Sequence, residues 1–229
     1  MKVQRVKLGA AGASVQGLNI LKEAGNRLLS APDSAAYLLG VRPYKKLRLR
    51  VVILRDEAGH PLATEAEVWP SIQEAARIFA RAARVRVVPA HPAIVILPAA
   101  APTAALNVHC DDGAWQDDLG TGGAYFRRVL ATTQAGRYLG YGAPVTVFIV
   151  RDISLKGGCS LGPLVDYVTL EAGMLGRAGY RILAHEVGHA CGLWHAKDKP
   201  NLMFPIGPGD LLAPWQAAVI RNSRHTTYL

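Results

Sequence analysis

The chain has 229 residues, 50% of them hydrophobic and 19% charged, enough to bury one sizeable core and too apolar for a disordered or low-complexity polymer. Its longest apolar runs, among them Val145 to Val150 and Ala93 to Ala101, are bounded by Gly, Pro or charge and stop short of the roughly 18 to 20 residues that span a bilayer, which excludes a transmembrane helix. The net charge of +9 is placed unevenly: ten of the 26 Lys and Arg fall in residues 1–50, where Glu23 and Asp33 are the only acids.

That N-terminal stretch, beginning MKVQRVKLGAAGASVQGLNILKEAG, is basic but lacks the continuous apolar region of a secretory signal, so the expectation is a cytoplasmic chain or one exported by another route. A basic arm can serve nucleic acid, an anionic membrane or an acidic partner. The plainer reading is a solvated extension over residues 1–44, followed by an edge strand protected by charge. Aromatic residues do not interleave the charges beyond Tyr37 and Tyr44, so nucleic acid is not favoured.

Lys46 to Leu54, KLRLRVVIL, begins with alternation and ends as a buried run, which predicts a strand. Thr64 to Ala83 carries a helical apolar stripe through Val68, Ile72, Ala75, Ile78, Phe79 and Ala83, with Pro70 expected to set the helix start. Strand-like runs follow at Val85 to Val88, Ala93 to Leu97 and Val145 to Val150. This order predicts an α+β or α/β-like layered domain, a helix packed on a mixed sheet, with no internal repeat.

Between them lies DDGAWQDDLGTGG, residues 111–123. Asp111, Asp112, Asp117 and Asp118 are oxygen donors of the kind Ca²⁺ uses, but their spacing does not match an EF-hand, so a solvated surface loop is expected and Ca²⁺ has no support. Cys110, Cys159 and Cys191 are too few for a disulfide scaffold or a CxxC metal site; three buried thiols is the plain reading, and a Cys110–Cys159 pair stays open. From Cys159 to Leu170 a loop leads into a short strand that, at a sheet edge, would present free backbone groups to an extended peptide.

The segment HEVGHACGLWH, residues 185–195, carries the most chemistry. On a helix from Tyr180 to Gly192, Leu183, Val187 and Cys191 share one face, while His185 and His189, four apart, project side by side from another as two ligands of one ion must. Glu186 stands about 100° around, where a carboxylate can reach a metal-bound water without taking a ligand position. Gly192 can adopt the left-handed conformation that ends the helix and returns His195 as third ligand. Three neutral imidazoles suit Zn²⁺, which keeps a fourth position for water in catalytic sites, with Glu186 as general base. All five identities of HExxHxxGxxH arise by chance on the order of 10⁻⁵ in a chain of this length.

These residues resemble the metzincin clan of zinc endopeptidases, whose signature is this motif followed by a methionine-containing turn. Met203, in NLMFP eight residues after His195, looks like that turn, and its form is similar to the matrixins. Pro205 stands where astacins and serralysins place a tyrosine ligand. The resemblance spans about residues 145–222, where GDLLAPWQAAVIRNSR is similar to the clan's C-terminal helix. It implies a mostly parallel twisted sheet with an active-site helix and a backing helix above, and a small irregular subdomain ending in a helix below. Residues 45–229 would form the catalytic domain. It further implies one catalytic Zn²⁺ on His185, His189 and His195, support from Met203, a pocket lined by Phe204, Pro205 and Ile206, and a peptide or protein substrate. No cysteine precedes Cys110, so a cysteine-switch segment is not expected, and a monomer is. The rival reading is a zinc-binding protein with a basic arm for nucleic acid or an acidic partner and little turnover.

Overall fold

The computed structural model describes residues 10–110, 114–133, 142–154, 156–176 and 180–229. The described residues begin with two helices, α1 (Ala10–Leu29) and α2 (Ala31–Leu38), before β1 (Lys45–Ile53), α3 (Glu65–Ala83) and β2 (Val85–Ile96). Short elements α4 (Thr103–Leu106), β3 (Asn107–Val108) and α5 (Ala114–Leu119) lead to α6 (Thr121–Thr133). Then come β4 (Val145–Val150), β5 (Asp152–Ile153), β6 (Gly158–Ser160) and β7 (Tyr167–Glu171), followed by α7 (Arg181–Ala190), α8 (Pro214–Arg221) and β8 (Thr226–Thr227).

The main sheet runs in the order β2-β1-β4-β7-β6, with the first four strands mutually parallel and β6 antiparallel at one edge. Successive side chains point to opposite faces of a strand, and here both faces are covered. Val51, Ile53, Val147 and Ile149 pack with α3, α7 and α8 in one buried cluster; Val52, Leu54, Phe148 and Val150 pack with Phe126 and Val129 of α6 in another. The expected mixed, mostly parallel sheet with α7 and a backing helix, α3, is therefore present. After α8 the chain returns to the sheet, β8 pairing antiparallel with Lys46 and Leu47.

Several local expectations need correction. The β1 strand is not an edge: β2 and β4 flank it, and Lys45 is buried rather than posted against aggregation. Pro70 does not start α3, because Thr64 and Glu67 form a capping box that satisfies the first turn and Pro70 sits within the helix. The two runs at 85–88 and 93–97 are one edge strand with a register shift, which is where Pro89 and Pro92 are tolerated. Residues 114–133 are two helices rather than a solvated loop. Asp118 is buried, paired with Arg127 at 3.0 Å and hydrogen-bonded by Tyr167, and Asp117 accepts the His109 N–H at 2.6 Å, so both carboxylates have internal partners. Asp111 and Asp112 lie outside the described residues. Cys110 and Cys159 form a disulfide that ties the segment after β3 to β6, leaving Cys191 as a buried free thiol.

Helix α1 is built the reverse of an ordinary surface helix. Asn19, Glu23 and Asn26, one helical face of α1, and Ser30 just after it are buried against the body, while Leu21 and Leu28 on the opposite face are 71% and 77% exposed. The inward face is held by directional bonds: Asn19 Nδ2 donates to Leu164 O at 2.9 Å, and Asn26 Nδ2 to Asn222 O at 2.8 Å. Asp33 pairs with the buried Lys45 and Arg221, each at 3.0 Å. Both acids of the basic stretch thus serve buried cations: losing Asp33 would strand Lys45 and Arg221 in the interior, a cost of several kcal/mol, whereas Arg224 keeps Asp166 when Glu23 is lost.

Candidate metal centre

Helix α7 carries the motif. Leu183, Ala184 and Val187 bury one face in the core beneath the sheet, which turns His185 and His189 outward from it in a common direction. The helix closes with a bonded turn in which Gly192 N–H donates to His189 O at 2.8 Å and Leu193 N–H to Gly188 O at 3.0 Å. Gly192 has φ +93°, the left-handed conformation such a turn requires. The chain is thereby sent back so that His195 Nε2 lies 3.2 Å from His189 Nε2, which in turn lies 3.1 Å from His185 Nε2. All three donor nitrogens fall within 4.8 Å of one another.

The donor set fits one ion. Imidazoles at about 2.0 to 2.1 Å from a tetrahedral Zn²⁺ stand about 3.4 Å apart, close to the separations here. Uncharged nitrogens facing each other at such distances repel through their lone pairs unless a cation is shared between them. The opposite ring nitrogens are already committed: His185 Nδ1 lies 2.8 Å from Leu202 O and His189 Nδ1 2.8 Å from Leu193 O, contacts that place the proton on Nδ1 and leave Nε2 free to ligate. Burial pushes the pKa values of His185 and His189 down to about 4, and lowers that of His195, so the imidazoles are neutral at physiological pH, the form that binds metal.

Glu186 is buried beside this cluster, and burial raises its pKa to about 8 against the opposing pull of Lys156 and Arg181. Its carboxylate faces the edge strand β6: a Cβ built on Gly158 would lie 2.6 Å from Glu186 Cγ and 2.8 Å from Oε1, so the strand's bare glycine makes room for it.

Met203 is fully buried under α7, where Gly188 lies between the two helical histidines; a Cβ on Gly188 would come within 2.7 Å of the Met203 sulfur. The turn that carries it is tied down on several sides. Met203 N–H donates to Asn201 Oδ1 at 2.9 Å, Asn201 Nδ2 donates to Gln216 Oε1 of α8 at 2.7 Å, and Ala196 N–H donates to Met203 O at 2.9 Å. Beyond it, Phe204 is half-buried, and Pro205 and Ile206 are exposed.

Sequence reasoning missed Arg181. One helical turn before His185, its guanidinium donates to Leu202 O at 2.6 Å, to Phe204 O at 2.9 Å and to Gly207 O, clamping the loop after the motif. The signal was present, since Arg181, His185 and His189 repeat at four-residue spacing. Asn201 and Gln216 left no such trace.

The Met203 geometry leads to an expected pair of results. Met203→Leu conserves volume and costs less than about 1.5 kcal/mol with metal binding retained. Gly188→Ala drives a methyl group into the sulfur and costs more than Met203→Leu, read as the shift in denaturant midpoint of the two variants. Loss of metal in Met203→Leu would make the thioether a ligand.

No family model and no curated protein matches the chain. Among solved structures it is similar to metalloproteinase-II from Bacteroides fragilis, at 13% identity and a TM-score of 0.49, with 80% of this chain and 55% of that one covered. The chain thus spans little more than half of that protein. It is similar to a zinc-dependent peptidase from Methanocorpusculum labreanum at 16% identity and a TM-score of 0.43, covering 77% and 94%. A third is the archaemetzincin from Methanopyrus kandleri, at 16% identity and a TM-score of 0.37, covering 78% and 88%.

Proposed function

We propose that the chain is a zinc-dependent endopeptidase of the metzincin type, with residues 45–229 as its catalytic unit and residues 1–44 as an addition whose described helices, α1 and α2, pack on it. The observation that carries this reading is the convergence of three neutral imidazole nitrogens within 4.8 Å, with the buried Glu186 carboxylate beside them against an edge strand.

His185, His189 and His195 hold the metal. Bound there, Zn²⁺ supplies Lewis acidity toward a water molecule and the substrate carbonyl. Glu186 accepts the proton of the attacking water and gives it to the leaving amine. Burial, which raises its proton affinity, makes this carboxylate the stronger base. Leu202 O and Leu193 O orient two ligands, Arg181 and the Asn201–Gln216 pair fix the loop behind them, and Met203 fills the space beneath. A peptide lies extended along β6, where the free side of an edge strand offers backbone donors and acceptors.

Phe204, Pro205 and Ile206 line the pocket for the side chain just after the scissile bond. Such an apolar wall accepts aliphatic and aromatic side chains and rejects acidic ones, broadly, because one methylene there is worth only about 1 to 3 kcal/mol. Cleavage-site profiling on a proteome-derived peptide mixture, with and without a chelator, tests both claims. Chelator-sensitive internal cleavage before apolar residues is expected. A strict requirement for a charged residue after the cut would remove the pocket and spare the zinc chemistry, whereas metal binding with no cleavage of any peptide would overturn the peptidase.

A further inference from the structure

We infer that Arg27, reaching from α1 to the carbonyl of Cys191, is a positioning residue for the metal centre: it caps the C-terminal end of α7 and holds the glycine turn that returns His195. The inference rests on His185, His189 and His195 being the ligands.

The last carbonyls of a helix have no partner within it, and the aligned peptide dipoles leave that end negative. In α7 the turn satisfies Gly188 O and His189 O through Leu193 and Gly192. The carbonyl of the cap residue, Cys191 O, is met from outside the helix by Arg27 Nη2 at 3.2 Å. A guanidinium there supplies a charge-assisted hydrogen bond and a positive charge where the dipole favours one. The contact is built into the turn itself. A Cβ on Gly192 would lie 2.2 Å from Arg27 Nη2, so glycine at this position gives the left-handed turn and also the space in which the guanidinium sits.

Arg27 is aimed by its own surroundings. Glu23, one turn earlier on α1, holds Nη2 at 2.8 Å, and the same buried carboxylate accepts the Arg224 N–H at 3.2 Å. Asn222 Nδ2 donates to the Arg27 carbonyl at 3.1 Å. These bonds account for the polar inward face of α1: the helix is fixed by orientation-dependent contacts, as a strut must be, rather than by apolar area.

The turn it caps governs two ligands. Leu193 O accepts the His189 Nδ1 proton and thereby sets the tautomer and ring orientation of that ligand, and His195 follows two residues later. Loosening the turn therefore reduces the fit of two of three nitrogens at once. The N-terminal helix becomes part of the metal site although it supplies no ligand.

The test compares full-length Arg27→Ala, Arg27→Lys and Asn19→Ala with the parent. Zn²⁺ affinity is measured by competition with a chromophoric chelator, and unfolding of the metal-free forms is followed separately. Asn19→Ala removes a bond that docks α1 on Leu164 O, about two helical turns before Arg27, and so reports what loosening α1 does while the Arg27 contact with Cys191 O is kept. Arg27→Ala is expected to weaken zinc binding on the order of tenfold, the lower end of what partners behind metal ligands contribute. Asn19→Ala is expected to bind zinc as the parent does even where its unfolding midpoint falls as far, and Arg27→Lys, which keeps a charge and a donor, to recover most of the affinity. Parent-like affinity in Arg27→Ala, an equal loss in Asn19→Ala, or a Lys variant as weak as the Ala variant overturns the capping role. A parent chain that binds no zinc overturns the metal reading itself and this inference with it.

Discussion

Alanine at His185, His189 or His195 is expected to take the bound zinc from about one per chain to well below that after dialysis, and to take turnover down with it. Two nitrogens cannot enclose a tetrahedral ion as three can, and neither Asp nor Glu is placed among the described residues to make up the set. The three variants should differ in what else they disturb. Removing His185 leaves Leu202 O still bonded by Arg181 at 2.6 Å, so the loop behind the site keeps its clamp. Removing His189 deprives Leu193 O of its donor and loosens the turn that brings His195 back. His195 is the most exposed of the three and its loss should be felt mainly as lost metal. Because an ion that binds only the folded chain stabilises it, by about 2.7 kcal/mol at a hundredfold excess over Kd, the parent should unfold at lower temperature with chelator and the variants should hardly respond. Elemental analysis and thermal unfolding with and without chelator read both effects. Full zinc retention in all three variants would sink the site.

What could be read from the sequence divides along physical lines. Helices α3 and α7 announce themselves because each buries apolar residues at a helical period and strand β4 because it is a continuous apolar run buried on both faces, and HExxHxxGxxH encodes its geometry in its spacing: four residues for two ligands, a glycine for the turn, three more for the third. Helix α1 has a helical period too, but the buried face is Asn19, Glu23 and Asn26, so a search for an apolar inward stripe reads it inverted and leaves the segment as a solvated arm. The carboxylates of Glu23 and Asp33 looked outnumbered in a basic stretch, whereas each also meets a buried arginine far away in sequence, at Arg224 and Arg221. Helix α6 was hidden by the glycines at its start. Gly123 is there because a Cβ would lie 1.7 Å from Asp118 O, a constraint that only the packed structure displays. The Cys110–Cys159 bond likewise joins positions 49 residues apart that no spacing rule connects. Local periodicity and motif spacing were legible, and long-range polar pairing was not.

Glu186→Gln should separate chemistry from metal binding more sharply than any other single change, with turnover falling about 10² to 10⁴-fold while zinc stays near one per chain. The carboxylate sits beside the donor nitrogens without being one of the three that converge, so the coordination set survives the substitution. Gln keeps the shape that fits between α7 and the bare backbone of Gly158, and it lacks the charge whose burial raises the Glu186 pKa to about 8. The metal-free variant is therefore expected to be at least as stable as the parent, since an amide is less costly to desolvate than a carboxylate. What disappears is a group able to take a proton from the attacking water and return it to the leaving nitrogen, and an amide can do neither. Zinc content, thermal unfolding and turnover on a peptide identified by profiling distinguish the outcomes. A variant that loses metal in step with activity would make Glu186 a structural support of the histidines, and one that keeps full activity would place the general base on another residue.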